Sequence, residues 1–182
     1  MSLLPRELKE AIGRDSLVHA RKLLEKYPID LNDTDVLCDA YDVDEPDEIS
    51  LLFWVIQIGA SREMVEMLIE QGLDITQVNR EGLGALDVAI KQRRRDLVDL
   101  CAEQGVSLTT TQRRSGLTPL MLAASLGDRE MVAYLIERGA SAEDTDKRGT
   151  TVLEYARVLG QTKMVEFLEG LNGESQKEEQ GV

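Results

Sequence analysis

The stretch Gly116–Asp128, "GLTPLMLAASLGD", decides the fold because it specifies both the start and the end of one short helix. Thr118 is a suitable N-cap, since its hydroxyl oxygen can accept a hydrogen bond from an N–H of the first turn. Pro119 then occupies the first helical position, where its missing N–H costs nothing. One narrow apolar face follows at i, i+3 and i+4 spacing: Leu120, Ala123 and Ala124. Gly127 can adopt the left-handed conformation that ends the helix.

A second amphipathic helix follows directly after Asp128. Its apolar face is formed by Met131, Val132, Leu135 and Ile136, and Gly139 ends it. The two segments predict a short helix pair whose alanine face allows close approach of a neighbouring element. Because one such pair cannot bury its own apolar surface, we expect further copies along the chain.

Copies occur at a regular period. The valine of the second helix recurs at spacings of 33, 34 and 33 residues, as Val65, Val98, Val132 and Val165. A large apolar residue precedes each valine: Met64, Leu97, Met131 and Met164. The closing turn recurs as residue types that tolerate positive φ: Gly72, Gly105, Gly139 and Asn172. The chain is therefore predicted to be a repeat protein.

The copy from Arg113 to Asp144 resembles the ankyrin repeat, whose pattern runs approximately G-x-T-P-L-H-x-A-A-x-x-G-H. The resemblance covers the cap, the proline, the paired alanines and both glycines. It implies an all-α solenoid of helix-turn-helix repeats joined by short hairpin fingers. Met121 and Asp128 stand where the family usually has histidine, which predicts the loss of some hydrogen bonds between adjacent repeats.

Looser copies on either side extend the array over nearly the whole chain. We predict about five repeats, at residues 3–35, 49–79, 80–112, 113–146 and 147–172, an acidic insertion at 33–48, and a polar disordered tail at 173–182. Arg93 replaces the glycine that ends the first helix in the third copy. Arg157 replaces the second alanine of the fifth copy, which indicates a C-terminal capping repeat with a polar outer side.

Composition restricts the class of partner and the compartment. The net charge of −13 argues against nucleic acid and anionic membranes as partners. The longest apolar run, residues 49–60, is too short to span a bilayer, and no signal peptide is visible. Cys38 and Cys101 are not expected to form a disulfide, which favours a reducing compartment. We therefore expect a cytoplasmic monomer.

Negative charge is concentrated in the insertion. Between Ile29 and Glu48 there are nine carboxylates and no lysine or arginine. The resemblance implies that the insertion enlarges the first finger into an acidic lobe, which we define as Asp39, Asp42, Asp44, Glu45, Asp47 and Glu48. The later finger tips are basic, at Arg80, at Arg113 and Arg114, and at Lys147 and Arg148.

Catalytic and metal-binding patterns are not evident. His19 is the chain's single histidine. It could serve as a base or a metal ligand, but we predict a partly buried structural role. No cysteine and histidine cluster has zinc spacing, and "DAYDVDEPDE" lacks the glycine and ligand spacing of an EF-hand. We predict no catalytic residues, no metal and no cofactor; an enzyme using a cleft beside the enlarged finger remains the least favoured alternative.

The remaining candidate site is a surface. In ankyrin-like arrays, positions that flank the finger glycine and end the first helix face a concave groove. Carried onto this sequence, the candidate partner-binding residues are Ile49, Ile58, Arg80, Leu83, Lys91, Arg114, Leu117, Leu126, Lys147 and Arg148. The apolar members could instead pack between repeats. Both alternatives stay open for Ile49 and Ile58, whereas the polar neighbours of Leu83 and Leu117 favour binding.

These features predict a non-enzymatic protein–protein interaction module. Burying a leucine contributes about 1.5–3 kcal/mol, whereas an exposed charge pair contributes about 0.2–1 kcal/mol. We therefore expect a protein partner with an apolar ridge flanked by basic residues. The alternative is a stoichiometric inhibitor, an immunity protein or a dedicated chaperone of a basic protein.

Overall fold

The computed structural model describes residues 5–32 and 50–179, with side chains described as far as residue 171. Within these ranges ten helices form five consecutive pairs, and the helices of each pair are joined by a short turn. The helices are α1 Arg6–Gly13, α2 Leu17–Lys26, α3 Leu51–Gln57, α4 Arg62–Glu70, α5 Ala85–Lys91, α6 Arg95–Glu103, α7 Pro119–Ser125, α8 Arg129–Glu137, α9 Val152–Val158 and α10 Thr162–Glu179. The described part of the chain is thus an all-helical repeat solenoid, as the sequence predicted.

Side-chain caps determine where several of these helices begin. Thr118 accepts a hydrogen bond from the backbone N–H of Met121 at 3.2 Å, and Pro119 is the first residue of α7. Equivalent caps begin α3, α4, α8 and α9, at Ser50, Ser61, Asp128 and Thr151. The cap and the proline of α7 are therefore confirmed.

Positive φ angles end most of the helices where the period predicted a turn. Gly127 ends the first helix of its pair at φ 68°, and the second helices α4, α6 and α8 are followed by Gly72, Gly105 and Gly139, all with positive φ. Asn172 does not form such a turn, because α10 continues through it to Glu179. The tail prediction is corrected accordingly for residues 173–179, whose backbone is helical. The segment forms a helix because its glutamates, glutamine and lysine have high helix propensity.

One core runs through all five pairs. Val65, Val98 and Val132 are fully buried, and Val165 is half-buried against the same core. The first helices pack in sequence, α3 on α5, α5 on α7 and α7 on α9, and the second helices α2, α4 and α6 follow the same order. Neighbouring pairs therefore bury the apolar surface that one pair alone would leave exposed.

Two of the fingers are organised by an aspartate or asparagine side chain. Asn79 Oδ1 accepts from the N–H groups of Glu81 and Leu83 at 2.9 and 3.0 Å. Asp146 Oδ1 accepts from Arg148 and Thr150 at 2.8 and 2.9 Å. These bonds close tight turns that present the intervening residues at the finger tips.

Adjacent fingers stack closely at a glycine. Gly82 has φ 82°, and a Cβ placed on it would lie 2.1 Å from the backbone oxygen of Gln112 in the next finger. The backbone N–H of Arg114 donates to the oxygen of Glu81 across the same contact, at 3.1 Å. Only a residue without a side chain fits this position.

Side chains in other repeats make hydrogen bonds between repeats at a position where the family usually has histidine, while the loss predicted at Met121 and Asp128 stays a prediction. Arg94 and Gln161 occupy the position that Asp128 holds in its own repeat. Arg94 Nη1 donates to the backbone oxygen of Ala60 at 3.1 Å, and Gln161 Nε2 donates to that of Ser125 at 2.6 Å. Other side chains therefore tie the turns of neighbouring repeats together.

Candidate interaction surface

The first helices of the second to fifth pairs share an exposed face. In α7 the positions are Leu122, Ser125 and Leu126, which lie on one side of the helix at i, i+3 and i+4. The last of these positions is the C-cap residue in all four helices: Ile58, Gln92, Leu126 and Leu159. Two parallel rows of side chains therefore cross the repeats, one at the middle of each helix and one at its end.

Both rows are predominantly apolar. In the end row, Ile58, Leu126 and Leu159 are 41%, 39% and 47% exposed, and Gln92 is the polar exception. The middle row contains the half-buried residues Trp54, Val88 and Tyr155 and the buried Leu122. We define the first-helix face as Trp54, Ile58, Val88, Leu122, Leu126, Tyr155 and Leu159. The middle row therefore packs on the core, and the end row beside it exposes apolar side chains to solvent.

The apolar residues predicted to bind the partner differ in their exposure to solvent. Ile58 and Leu126 are exposed, as an interaction surface requires. Leu83 and Leu117 are half-buried, and Leu117 packs against the core. Ile49 lies outside the described residues. Sequence reasoning missed Trp54, Val88 and Tyr155. Trp54 precedes the predicted Ile58 by four residues and Val88 precedes the predicted Lys91 by three, so helix periodicity could have indicated both.

The predicted cations line the fingers and one helix end. Arg80, Arg114, Lys147 and Arg148 are exposed at finger tips, and Lys91 is exposed beside Gln92. Glu81 is the exposed carboxylate among these tips. The neighbouring Asp146 is turned into its finger, and the N–H groups of Thr150 and Arg148 hold its pKa below the usual value. The acidic lobe lies outside the part of the chain that the structure describes.

Arg113 is not a finger-tip cation, contrary to the sequence prediction. Its side chain is buried, and its Nε donates to Asp87 Oδ1 at 2.8 Å while Nη2 lies 2.6 Å from the same oxygen. Asp87 is also buried, and its other oxygen accepts from the N–H of Gly84 at 2.7 Å. The signal in the sequence was that Arg113 replaces the turn-forming side chain found at Asn79 and Asp146.

The described residues offer little for catalysis or metal binding. Within residues 5–32 and 50–171, no three histidine, cysteine, aspartate or glutamate side chains are grouped to hold a metal ion. His19 is exposed on α2, so the predicted partly buried role is wrong, because its helix presents that position to solvent. Burial raises the pKa of the Cys101 thiol to about 12, which keeps it protonated. Cys38 lies outside the described ranges, and the cytoplasmic expectation stays a prediction.

A cleft of about 260 Å³ lies between the finger at residues 78–84 and the loop at 105–112. Its carboxylate is Asp87, whose oxygens are already engaged by Gly84 and Arg113. The rest of its lining is apolar side chains, threonine and serine hydroxyls, glutamine amides and glycine backbone. The cleft therefore offers no free charge to a small ligand.

Taken together, stacked helix pairs with one core, paired fingers and an exposed first-helix face define a solenoid repeat protein. The family described as "Ankyrin repeats (3 copies)" matches residues 102–177. The same five-pair architecture extends upstream of that match to Arg6. This match and the five stacked helix pairs together support an ankyrin repeat protein.

Comparison with curated proteins finds similarity to segments of much longer chains. Glycerophosphocholine phosphodiesterase gde1 of Schizosaccharomyces pombe is 29% identical over 124 residues, which are 68% of this chain and 11% of that protein. Ankyrin repeat and SAM domain-containing protein 6 of Mus musculus is 27% identical over 119 residues, 64% of this chain and 14% of that protein. Poly [ADP-ribose] polymerase tankyrase of Caenorhabditis elegans is 39% identical over 75 residues, 40% of this chain and 3% of that protein. The chain spans a seventh or less of each relative.

None of the helices in the described ranges combines the length and the apolar character needed to cross a membrane.

Proposed function

We propose that this chain is a non-enzymatic module that binds one protein partner through its first-helix face and fingers. Ankyrin repeats are generally protein-interaction modules. The observation that supports the surface is the exposure of Ile58, Leu126 and Leu159 at equivalent positions of three repeats. A contiguous exposed apolar patch marks an interaction site more often than scattered apolar residues do.

The energetics assign most of the affinity to this face. Completing the burial of each exposed apolar side chain contributes up to about 1.5–3 kcal/mol. Trp54 adds a large aromatic surface in the middle row, and tryptophan is enriched among the residues that dominate binding energy. An exposed charge pair at a finger contributes about 0.2–1 kcal/mol, so the finger cations contribute chiefly to association rate and partner choice.

The test is affinity purification from the native source with the double variant Ile58→Asp, Leu126→Asp. We expect the partner found with the wild-type chain to be lost, because two carboxylates would then lie in the buried interface. Val18→Asp is the matched control, since Val18 is 71% exposed on α2, away from the first-helix face. Circular dichroism checks that each variant keeps its helices. Undiminished capture by the double variant would place the interface elsewhere.

The second candidate function is a stoichiometric inhibitor, immunity protein or chaperone of a basic protein. The sequence observation that favours it is the run of nine carboxylates between Ile29 and Glu48. The partner would then carry an apolar ridge flanked by basic residues. Replacing the six carboxylates of the acidic lobe with their amides should slow association strongly at low salt. An association rate that responds neither to these changes nor to ionic strength would eliminate this candidate.

A further inference from the structure

The spacing of the first-helix face selects the conformation of the segment that it can bind. Helices α3, α5, α7 and α9 pack side by side. Packed helices lie about 8–10 Å apart, so each row presents one side chain about every 10 Å. A binding segment that uses every repeat must therefore offer an apolar side chain at the same interval, on one face.

An α-helix meets this requirement and an extended strand does not. A helix rises about 1.5 Å per residue, so every seventh residue lies about 10.5 Å further along nearly the same face. In a strand, side chains on one face are about 6.7 Å apart, and the residue about 10 Å away points to the opposite face. The two rows also form a groove in which the residues beside each seventh position can pack.

The length of the face sets the length of the bound helix. The rows run from α3 to α9, about 30 Å, which corresponds to about 20 helical residues. In α1 the equivalent positions hold Glu10 and Arg14 instead, which form an ion pair at 3.7 Å. The apolar surface therefore stops before the first repeat.

The charges beside the face determine the charge of the bound helix. Four exposed cations, Arg80, Arg114, Lys147 and Arg148, stand at the tips of three successive fingers, against one exposed carboxylate, Glu81. Lys91 adds a fifth cation at the helix-end row. These three finger tips carry a net positive charge although the chain as a whole carries a net charge of −13. A helix with carboxylates along the edge that faces the fingers is electrostatically complementary to it.

We propose that the first-helix face binds an amphipathic helix of about 20 residues, with apolar residues in a seven-residue register and an acidic edge facing the fingers. This inference rests on the proposed function and names the partner segment that the surface recognises. Gln92, the polar member of the end row, lies between Ile58 and Leu126 and favours a polar residue at the position of the bound helix that faces it.

The test uses synthetic peptides and the chain's single tryptophan, Trp54, which lies on the first-helix face. One peptide carries leucines in the seven-residue register, glutamine at one inner position of that register and glutamates along one edge. A second peptide replaces the glutamates with lysines, and neither contains tryptophan or tyrosine. We expect the acidic peptide to change Trp54 fluorescence and to bind at least tenfold more tightly than the basic peptide at low salt. Equal or tighter binding of the basic peptide would overturn the charge assignment.

Charge reversal at the fingers provides the second arm. The variant Arg114→Glu, Arg148→Glu should bind the acidic peptide at least tenfold more weakly than the wild-type chain does, and it should bind the basic peptide more tightly. The matched control Lys22→Glu, Arg129→Glu makes the same charge change on the second helices α2 and α8 and should leave both affinities unchanged. If neither peptide changes Trp54 fluorescence at millimolar concentration, the helical segment is excluded. In that case the double variant Ile58→Asp, Leu126→Asp would still lose the native partner if the proposed function is correct. Failure of this inference is therefore distinguishable from failure of the proposed function.

Discussion

At the scale of single residues, Arg93 carries backbone strain that its equivalents in the second, fourth and fifth repeats avoid, whereas Asp15 in the first repeat shares it, at φ 54°. Arg93 has φ 57° at the turn where the neighbouring repeats have glycine, at Gly59, Gly127 and Gly160. A left-handed conformation costs a residue with a side chain about 1–2 kcal/mol. The ion pair between Arg93 and Asp128, at 3.4 Å, is too exposed on the arginine side to offset this strain by much.

Replacing Arg93 with glycine should therefore stabilise the protein. The strain relieved exceeds the entropic cost of glycine, about 0.5–1 kcal/mol, so we expect a gain of about 0.5–1 kcal/mol in the free energy of unfolding. Urea denaturation measures it. Gly160→Ala is the matched control, because it introduces the same backbone strain at a position where the added Cβ meets no neighbour. It should lower the free energy of unfolding by about 1 kcal/mol. A less stable Arg93→Gly variant would contradict this account of the turn.

The buried pair between Asp87 and Arg113 makes a second prediction at this scale. Arg113→Met leaves a buried carboxylate without its cation, and we expect a loss of about 3–5 kcal/mol in the free energy of unfolding. Adding Asp87→Met, the residue type found at the equivalent Met121, removes the unpaired charge and should restore most of that loss. Thermal denaturation compares the stability of the single variant with that of the double variant. A double variant no more stable than Arg113→Met would show that the carboxylate is not the cause.

At the scale of elements, the stacking of the fingers depends on contact as well as on backbone conformation. Gly82 and Gly149 have nearly the same φ, 82° and 80°, but only Gly82 faces the backbone of the next finger. Gly149→Ala should cost about 1 kcal/mol, because the backbone strain is partly offset by the lower entropic cost of ordering alanine. Gly82→Ala should cost a further 1–3 kcal/mol or so from overpacking against Gln112. Equal losses in urea denaturation would mean that the fingers are free to separate.

The helices were predictable from the sequence because each repeat specifies its own start and end. The cap at Thr118, the proline at the first helical position and the glycine at φ 68° act within a few residues of one another, so local chemistry determines α7. The surface was less predictable. Arg113 resembled an exposed finger cation, because its partner Asp87 is 26 residues away and only the stacking of repeats brings the two together. Trp54 resembled a core residue within an apolar run.

At the scale of the whole molecule, the continuous core couples distant repeats. Stability of such arrays depends on the interfaces between neighbours as well as on each repeat. Val132→Ala in the fourth repeat should lower the free energy of unfolding by about 2 kcal/mol. We expect the urea midpoint reported by Trp54, in the second repeat, to fall by the same amount as the midpoint reported by circular dichroism. An unchanged Trp54 transition would mean that the pairs unfold independently.

The claim that the first-helix face binds the partner is tested most directly by amide hydrogen exchange of the complex with the captured native protein. The account predicts slower exchange at the ends of α3, α7 and α9 and in the fingers, with no change in α2, α4, α6 and α8. Protection confined to these second helices would contradict it.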